Sequence, residues 1–110
     1  MQTSYFVLYR GRADNAEGFV RRYKEVHVPI LRTWPGIQGI VLHQPANWSD
    51  PYEVKPAGLS LMAQMIFADG ESLSEALRSP QRGAARDDFR LFPPFRGEVL
   101  HQATISTTML

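Results

Sequence analysis

The segment Thr3–Arg10 reads TSYFVLYR, and its apolar residues fall on both sides of an extended chain. Successive side chains of a strand point to opposite faces, so Tyr5, Val7 and Tyr9 share one face while Phe6 and Leu8 share the other. A strand with one wet face alternates apolar with polar residues, and this one does not. It predicts a sheet that needs a cover on each side.

The first cover follows directly. In RADNAEGFVRRYKEV, residues 12–26, Asp14 stands three residues before Glu17 in the spacing of a capping box, which predicts a helix start there. Phe19, Tyr23, Val26, His27 and Ile30 recur at helical spacing as an inner stripe, with Arg21, Arg22, Lys24 and Glu25 opposite. Pro29 cannot donate to the helical ladder and disfavours helical geometry at Val28, predicting a kink or restart before TWPG, residues 33–36, ends the helix.

Residues 37–44, IQGIVLHQ, and 58–69, GLSLMAQMIFAD, read as two further strands, again apolar on both faces. The connection at 45–58 holds Pro45, Pro51 and Pro56 around Trp48 and Tyr52, and is too long for a tight hairpin. Ser72 and Glu75 repeat the capping-box spacing, and Ser79 with Pro80 forms a fresh N-cap and first-turn pair, so the second helical region is predicted to be broken in two. Pro93 and Pro94 end it. EVLHQATIST, residues 98–107, alternates as a fourth strand. The order strand, helix, strand, strand, helix, strand is that of an α+β ferredoxin-like βαββαβ domain, a four-stranded antiparallel sheet with both helices on one face. The second face has no helix left to cover it, which predicts a second copy of the chain packed sheet to sheet, a homodimer.

Length and composition limit the function. The chain of 110 residues has room for one domain, 1–110, that buries roughly two thirds of its unfolded surface. It contains no cysteine, which removes thiol nucleophiles, disulfides and thiolate metal sites. Twelve Lys and Arg against eleven Asp and Glu give a net charge of +1 without a basic run, so no nucleic-acid partner is expected. The apolar part of the N-terminus is too short for a signal or a membrane span; no membrane association and a cytoplasmic location are expected.

Among residues able to do chemistry, His27 stands out as an imidazole on an inward stripe. An imidazole can accept and return a proton near neutral pH, which suits isomerisation, lactone chemistry, decarboxylation or cyclisation. It equally fits a core histidine whose nitrogens satisfy carbonyls freed by Pro29. Tyr23 lies one turn earlier, placed to bond a substrate carbonyl or orient the imidazole. His43 and His101 lie on strands and read as pocket walls or sheet residues. No pair of histidines has the close spacing of a metal motif, so no metal is expected. Tyr5 and Tyr9 suit core or dimer positions, Tyr9 and Trp34 also a pocket wall, and Trp48 a pocket lid. Arg82, Arg86 and Arg90, four apart, can attract an acidic ligand but read more simply as a solvated face flanked by Asp87 and Asp88.

The run FVRRYKEVHVPILRTWPGIQG, residues 19–39, resembles the first helix of the EthD family of dimeric α+β barrels: an aromatic, a Tyr four residues on, a His four further, then Pro, an apolar residue and Pro-Gly before the second strand. Phe19, Tyr23, His27, Pro29, Ile30, Pro35 and Gly36 carry the likeness. SEALRSPQRGAARDDFRLF, residues 74–92, is similar to the family's Ser-Pro-initiated helix ending in an Asp and a Phe. The resemblance implies a cofactor-independent small-molecule site between helices and sheet. Family members serve alkyl ether breakdown, methylmuconolactone isomerisation and fungal polyketide tailoring, so activity is only loosely inherited. The expectation is a cofactor-free enzyme of isomerase or lyase type acting on a hydrophobic organic molecule. His27 would be the general acid/base beside Tyr23, with Tyr9, Trp34, His43, Trp48 and His101 contacting substrate. A cofactor-free monooxygenase and a non-catalytic dimeric accessory or ligand-binding protein are the alternatives.

Overall fold

The structure, a computed structural model, describes all residues 1–110. Its strands are β1 (Thr3–Ala13), β2 (Gly39–His43), β3 (Leu59–Phe67) and β4 (Phe95–Ile105), hydrogen-bonded in the order β2–β3–β1–β4, every neighbouring pair antiparallel. The two-faced segment Thr3–Arg10 lies in the inner strand β1. Tyr5, Val7 and Tyr9 stand opposite Met65, Ala63 and Leu61 on β3 and opposite Ala103, His101 and Val99 on β4, so all of these share one face. Helices α1 (Ala16–Arg22), α2 (Val28–Leu31), α3 (Gly70–Leu77) and α4 (Pro80–Phe89) cover that face, and the buried core runs between them and the sheet. The other face carries Phe6, Leu8, Met62, Ile66 and Leu100, half-buried beneath no helix. The chain is thus ferredoxin-like, as its sequence predicts.

The predicted helix starts are displaced. Asn15, not Asp14, caps α1 by accepting from the Gly18 N–H at 3.0 Å, while Asp14 turns to Arg96, whose Nε–H donates to it at 2.5 Å. Asp69, not Ser72, caps α3, accepting from the Ser72 N–H at 2.8 Å. In both cases the capping side chain sits three residues before the N–H it accepts. Ser79 and Pro80 open α4 as read, the Ser79 hydroxyl accepting from the Arg82 N–H at 3.3 Å.

Between α1 and α2 the helix does not break at Pro29. It widens into a π-helical turn, Tyr23–His27, closed by the Val28 N–H donating to the Tyr23 carbonyl, and Val28 keeps helical φ and ψ of −59° and −43°. The widened turn makes room around a proline whose ring would otherwise press on the preceding turn. It also fixes which residues face inward. An α-helix turns about 100° per residue, so residues four apart drift by roughly 40° at each step; a π turn advances less per residue and takes the drift back. Phe19, Tyr23, His27 and Leu31, spaced by four, are all buried, whereas Val26, assigned to the stripe on ordinary helical spacing, is 38% exposed.

Strand ends also differ from the sequence reading: β4 begins at Phe95, just after Pro94, and pairs back to Ala13. Gly11 and Gly97 face each other there with φ of +132° and +144°, and a Cβ on Gly97 would lie 2.0 Å from the Arg10 carbonyl oxygen. Residues 44–58 have no regular structure and are exposed. No helix is long and apolar enough to cross a membrane.

Candidate functional site

A cavity of about 360 Å³ lies between the helix-bearing face of the sheet and the layer formed by the π turn, α2 and α4. That volume is in the range of small-molecule sites. Tyr5, Val7 and Tyr9 of β1, Met65 of β3, and Val99 and His101 of β4 form the sheet side, and Tyr23, His27, Leu31 and Trp34 one helical wall. Ala85 and Phe89 of α4, with Arg82, Arg86 and Arg90, form the other.

The π turn and α4 meet at a buried polar cluster. His27 and Asp88, each 6% exposed, stand with Nδ1 and Oδ2 3.0 Å apart, and the guanidinium of the half-buried Arg22 donates to the other carboxylate oxygen. Burial pushes the Asp88 carboxyl upward, but bonds from Arg22 and His27 outweigh it and hold the group below its ordinary value. Asp88 is therefore an ionised acceptor at neutral pH. Burial also lowers the pKa of His27, outweighing the opposite pull of Asp88. A neutral imidazole has one N–H, and a carboxylate can only accept, so the proton sits on Nδ1 and Nε2 keeps its lone pair. His27 is thus set up as a proton acceptor in the cavity wall. Its partner is a carboxylate on another helix, not the carbonyls near Pro29.

Around it the wall is aromatic. The Tyr23 ring centroid lies 4.7 Å from that of His27, and Tyr9 meets Tyr23 edge to face at 5.9 Å. Burial pushes the Tyr9 hydroxyl up to about 12 and Tyr23 well above the ordinary tyrosine value, so both are neutral phenols able to donate. The indole N–H of Trp34 is buried and has no partner. At the opposite side, the Tyr5 hydroxyl and His101 Nδ1 are 2.5 Å apart, and Arg82 reaches the Tyr5 oxygen at 3.4 Å. Burial, then Arg82 and Arg86, lower the pKa of His101, which leaves it neutral and able to accept from Tyr5.

Of the residues singled out in the sequence, Tyr9, Tyr23, His27, Trp34 and His101 line one cavity. His43 does not: it lies opposite Met62 on the uncovered face of the sheet, bonded to Gln64 at 3.0 Å. Trp48 is 63% exposed in the 44–58 connection, away from the cavity. The three histidines consequently do not converge. The arginine series is in part the solvated face it reads as, since Arg86 and Arg90 are exposed and Arg90 pairs with Asp87, but all three also border the cavity and Arg82 is half-buried. Tyr5 belongs to the cavity as well as the core.

Asp88 and Arg22 were missed. Asp88 read as one of two surface acids, yet Ala85, Asp88 and Phe92 recur at helical spacing and all are buried. An acid inside that stripe, like the histidine inside the other, is the signal that could have paired them.

Residues 15–92 match the EthD domain family. The chain belongs to the EthD family. An EthD-family crystal structure from Bacillus halodurans C-125 superposes with a TM-score of 0.76 at 21% identity, over 97% of this chain and 100% of that one. SnoaB, a cofactor-independent oxygenase from Streptomyces nogalater, gives 0.67 at 12% identity, over 99% and 96%. A dimeric protein of unknown function with a ferredoxin-like fold from Bacteroides fragilis gives 0.62 at 14%, over 94% of each chain. At these identities the likeness is one of fold. A sequence search of curated proteins finds no match.

Proposed function

We propose that this EthD-family chain acts as a single-domain, dimeric, cofactor-independent enzyme on a small hydrophobic organic molecule, moving a proton through His27 in an isomerase- or lyase-type reaction. The observation that carries the reading is the ionised Asp88 on His27 Nδ1, which leaves Nε2 as a base in the wall of an aromatic cavity. Tyr23 and Tyr9, neutral phenols in the cavity wall whose hydroxyls couple to one another, would supply a hydrogen bond to a substrate oxygen on which charge develops. Dimerisation is supported by the uncovered apolar sheet face and by a fold neighbour described as dimeric.

A second reading is favoured by the likeness in fold to SnoaB: the same base would deprotonate a quinol-like substrate that then reacts with oxygen. A turnover screen of lactones, phenols and polyketide-like acids, run with and without oxygen, separates the two. On any substrate found, His27→Gln should lower turnover by about a hundredfold or more while the protein still folds. A Gln variant as active as the parent at every pH would remove His27 from the chemistry. Binding without turnover would favour the accessory or ligand-binding role.

A further inference from the structure

We infer that the cavity is built for an aromatic or conjugated carboxylate, its body among the aromatic side chains and its carboxylate on Arg82 and Arg86. This rests on the cavity being the ligand site and adds the ligand's charge and shape.

The charged residues that line the cavity are Arg82, Arg86 and Arg90, and no Asp or Glu lines it. Arg90 is neutralised outside by Asp87 at 2.8 Å. Arg82 and Arg86 have no ion pair; Arg12, Arg21, Arg32 and Arg78 have none either, but they do not line the cavity. Like charges four apart on a helix repel, so the pair costs stability that an anion between them would return. The polar groups around them point the same way. The Tyr5 hydroxyl and His101 are bonded to each other and Arg82 donates to the Tyr5 oxygen, so the charged groups at that end of the cavity are cationic donors. Trp34 lines the same cavity, and its indole N–H, shielded from solvent, reports on what packs against the ring. A carboxylate, with its acceptor oxygens, satisfies the two arginines. Phe89, Tyr9 and Tyr23 make the intervening surface apolar and suited to a flat body.

The test compares 2-naphthoate with its neutral isostere 2-naphthamide by isothermal titration calorimetry on the full chain. The acid should bind about tenfold more tightly or better, and added salt should shrink the difference. Arg82→Gln and Arg86→Gln should each reduce the preference, and the double variant should abolish it. Neither arginine carries an ion pair, so both variants should fold; in case one does not, naphthoate should also shift the Trp34 indole N–H resonance of the parent. Turnover is lost through His27 and acid preference through the arginines, so the two readouts fail separately: a preference present in a parent without turnover sinks only the reaction, and turnover without a preference sinks only this inference. Equal affinity for acid and amide, a preference that survives both arginine substitutions, or no binding of either at millimolar concentration would overturn the inference.

Discussion

Asp88→Asn is the substitution that most directly probes the buried cluster. It keeps size and shape but removes the charge from a side chain that is 6% exposed and bonded to both Arg22 and His27. Hydrogen bonds to charged groups contribute about 1.5–3 kcal/mol each. The amide retains one acceptor, which can still serve Nδ1–H of His27. Arg22, with 28% of its side chain exposed, is partly rescued by water, so its share is discounted. The expected net loss is about 2 kcal/mol, or roughly 1–2 M in the urea midpoint at a fixed protein concentration. Nitrogen-detected NMR of the imidazole gives the second readout. In the parent, His27 should titrate below the ordinary histidine value with its proton on Nδ1. In the variant it should titrate lower still, because Asp88 is what pulls it upward. An unchanged midpoint together with an unchanged titration would refute the cluster, as would a proton on Nε2 in the parent.

Acid should weaken the fold before any carboxylate titrates. His27 and His101 are both held below the ordinary value, so the unfolded chain binds protons first and stability should fall as the pH drops below about 6.5; His27→Gln should flatten part of that slope in pH-dependent melts. Light scattering should give twice the chain mass for the parent, and Phe6→Asp, which charges the uncovered sheet face, should give the single-chain mass; a monomeric parent at micromolar concentration would remove the dimer. Gly97→Ala should cost about 2–3 kcal/mol, since the new Cβ meets the Arg10 carbonyl at a positive φ, whereas Gly83→Ala in α4 has open space and should stabilise by about 0.5–1 kcal/mol, both read from thermal melts.

The fold was legible because strands declare themselves locally. Alternation in Thr3–Arg10 gives both faces, and Ser79–Pro80 marks a helix start without reference to anything distant. Caps were less so: Asp14 and Asn15, or Asp69 and Ser72, are capping side chains at most three residues apart whose choice depends on what else each can reach, and for Asp14 that was Arg96, 82 positions away. The site was half legible. His27, Tyr23 and Trp34 belong to one continuous segment whose spacing sets a common face. From α4, Asp88 reaches His27 while Arg82 and Arg86 reach the cavity, and nothing local distinguishes an arginine over a cavity from one over water. The π turn was hidden too, although the spacing of four from Phe19 to Leu31 drifts off a straight α-helix and is held to one face only by a wider turn.

That turn and α4 bring together two polar residues, each of which would be costly where it lies. A buried histidine with nothing on Nδ1 loses a hydrogen bond, and a buried aspartate without Arg22 and His27 would be driven toward its protonated form. Their pairing removes both costs and also decides how α4 sits, because the side of α4 that gives Asp88 to the π turn is adjacent to the side that gives Arg82 and Arg86 to the cavity. Stability, the tautomer of His27 and the placement of the free cations therefore depend on one helix docking in one way. A change at Asp88 disturbs all three, so it can show that the cluster exists but not which role matters to a ligand. Arg82 and Arg86, which hold no ion pair, are where the ligand's share can be read without unfolding the rest.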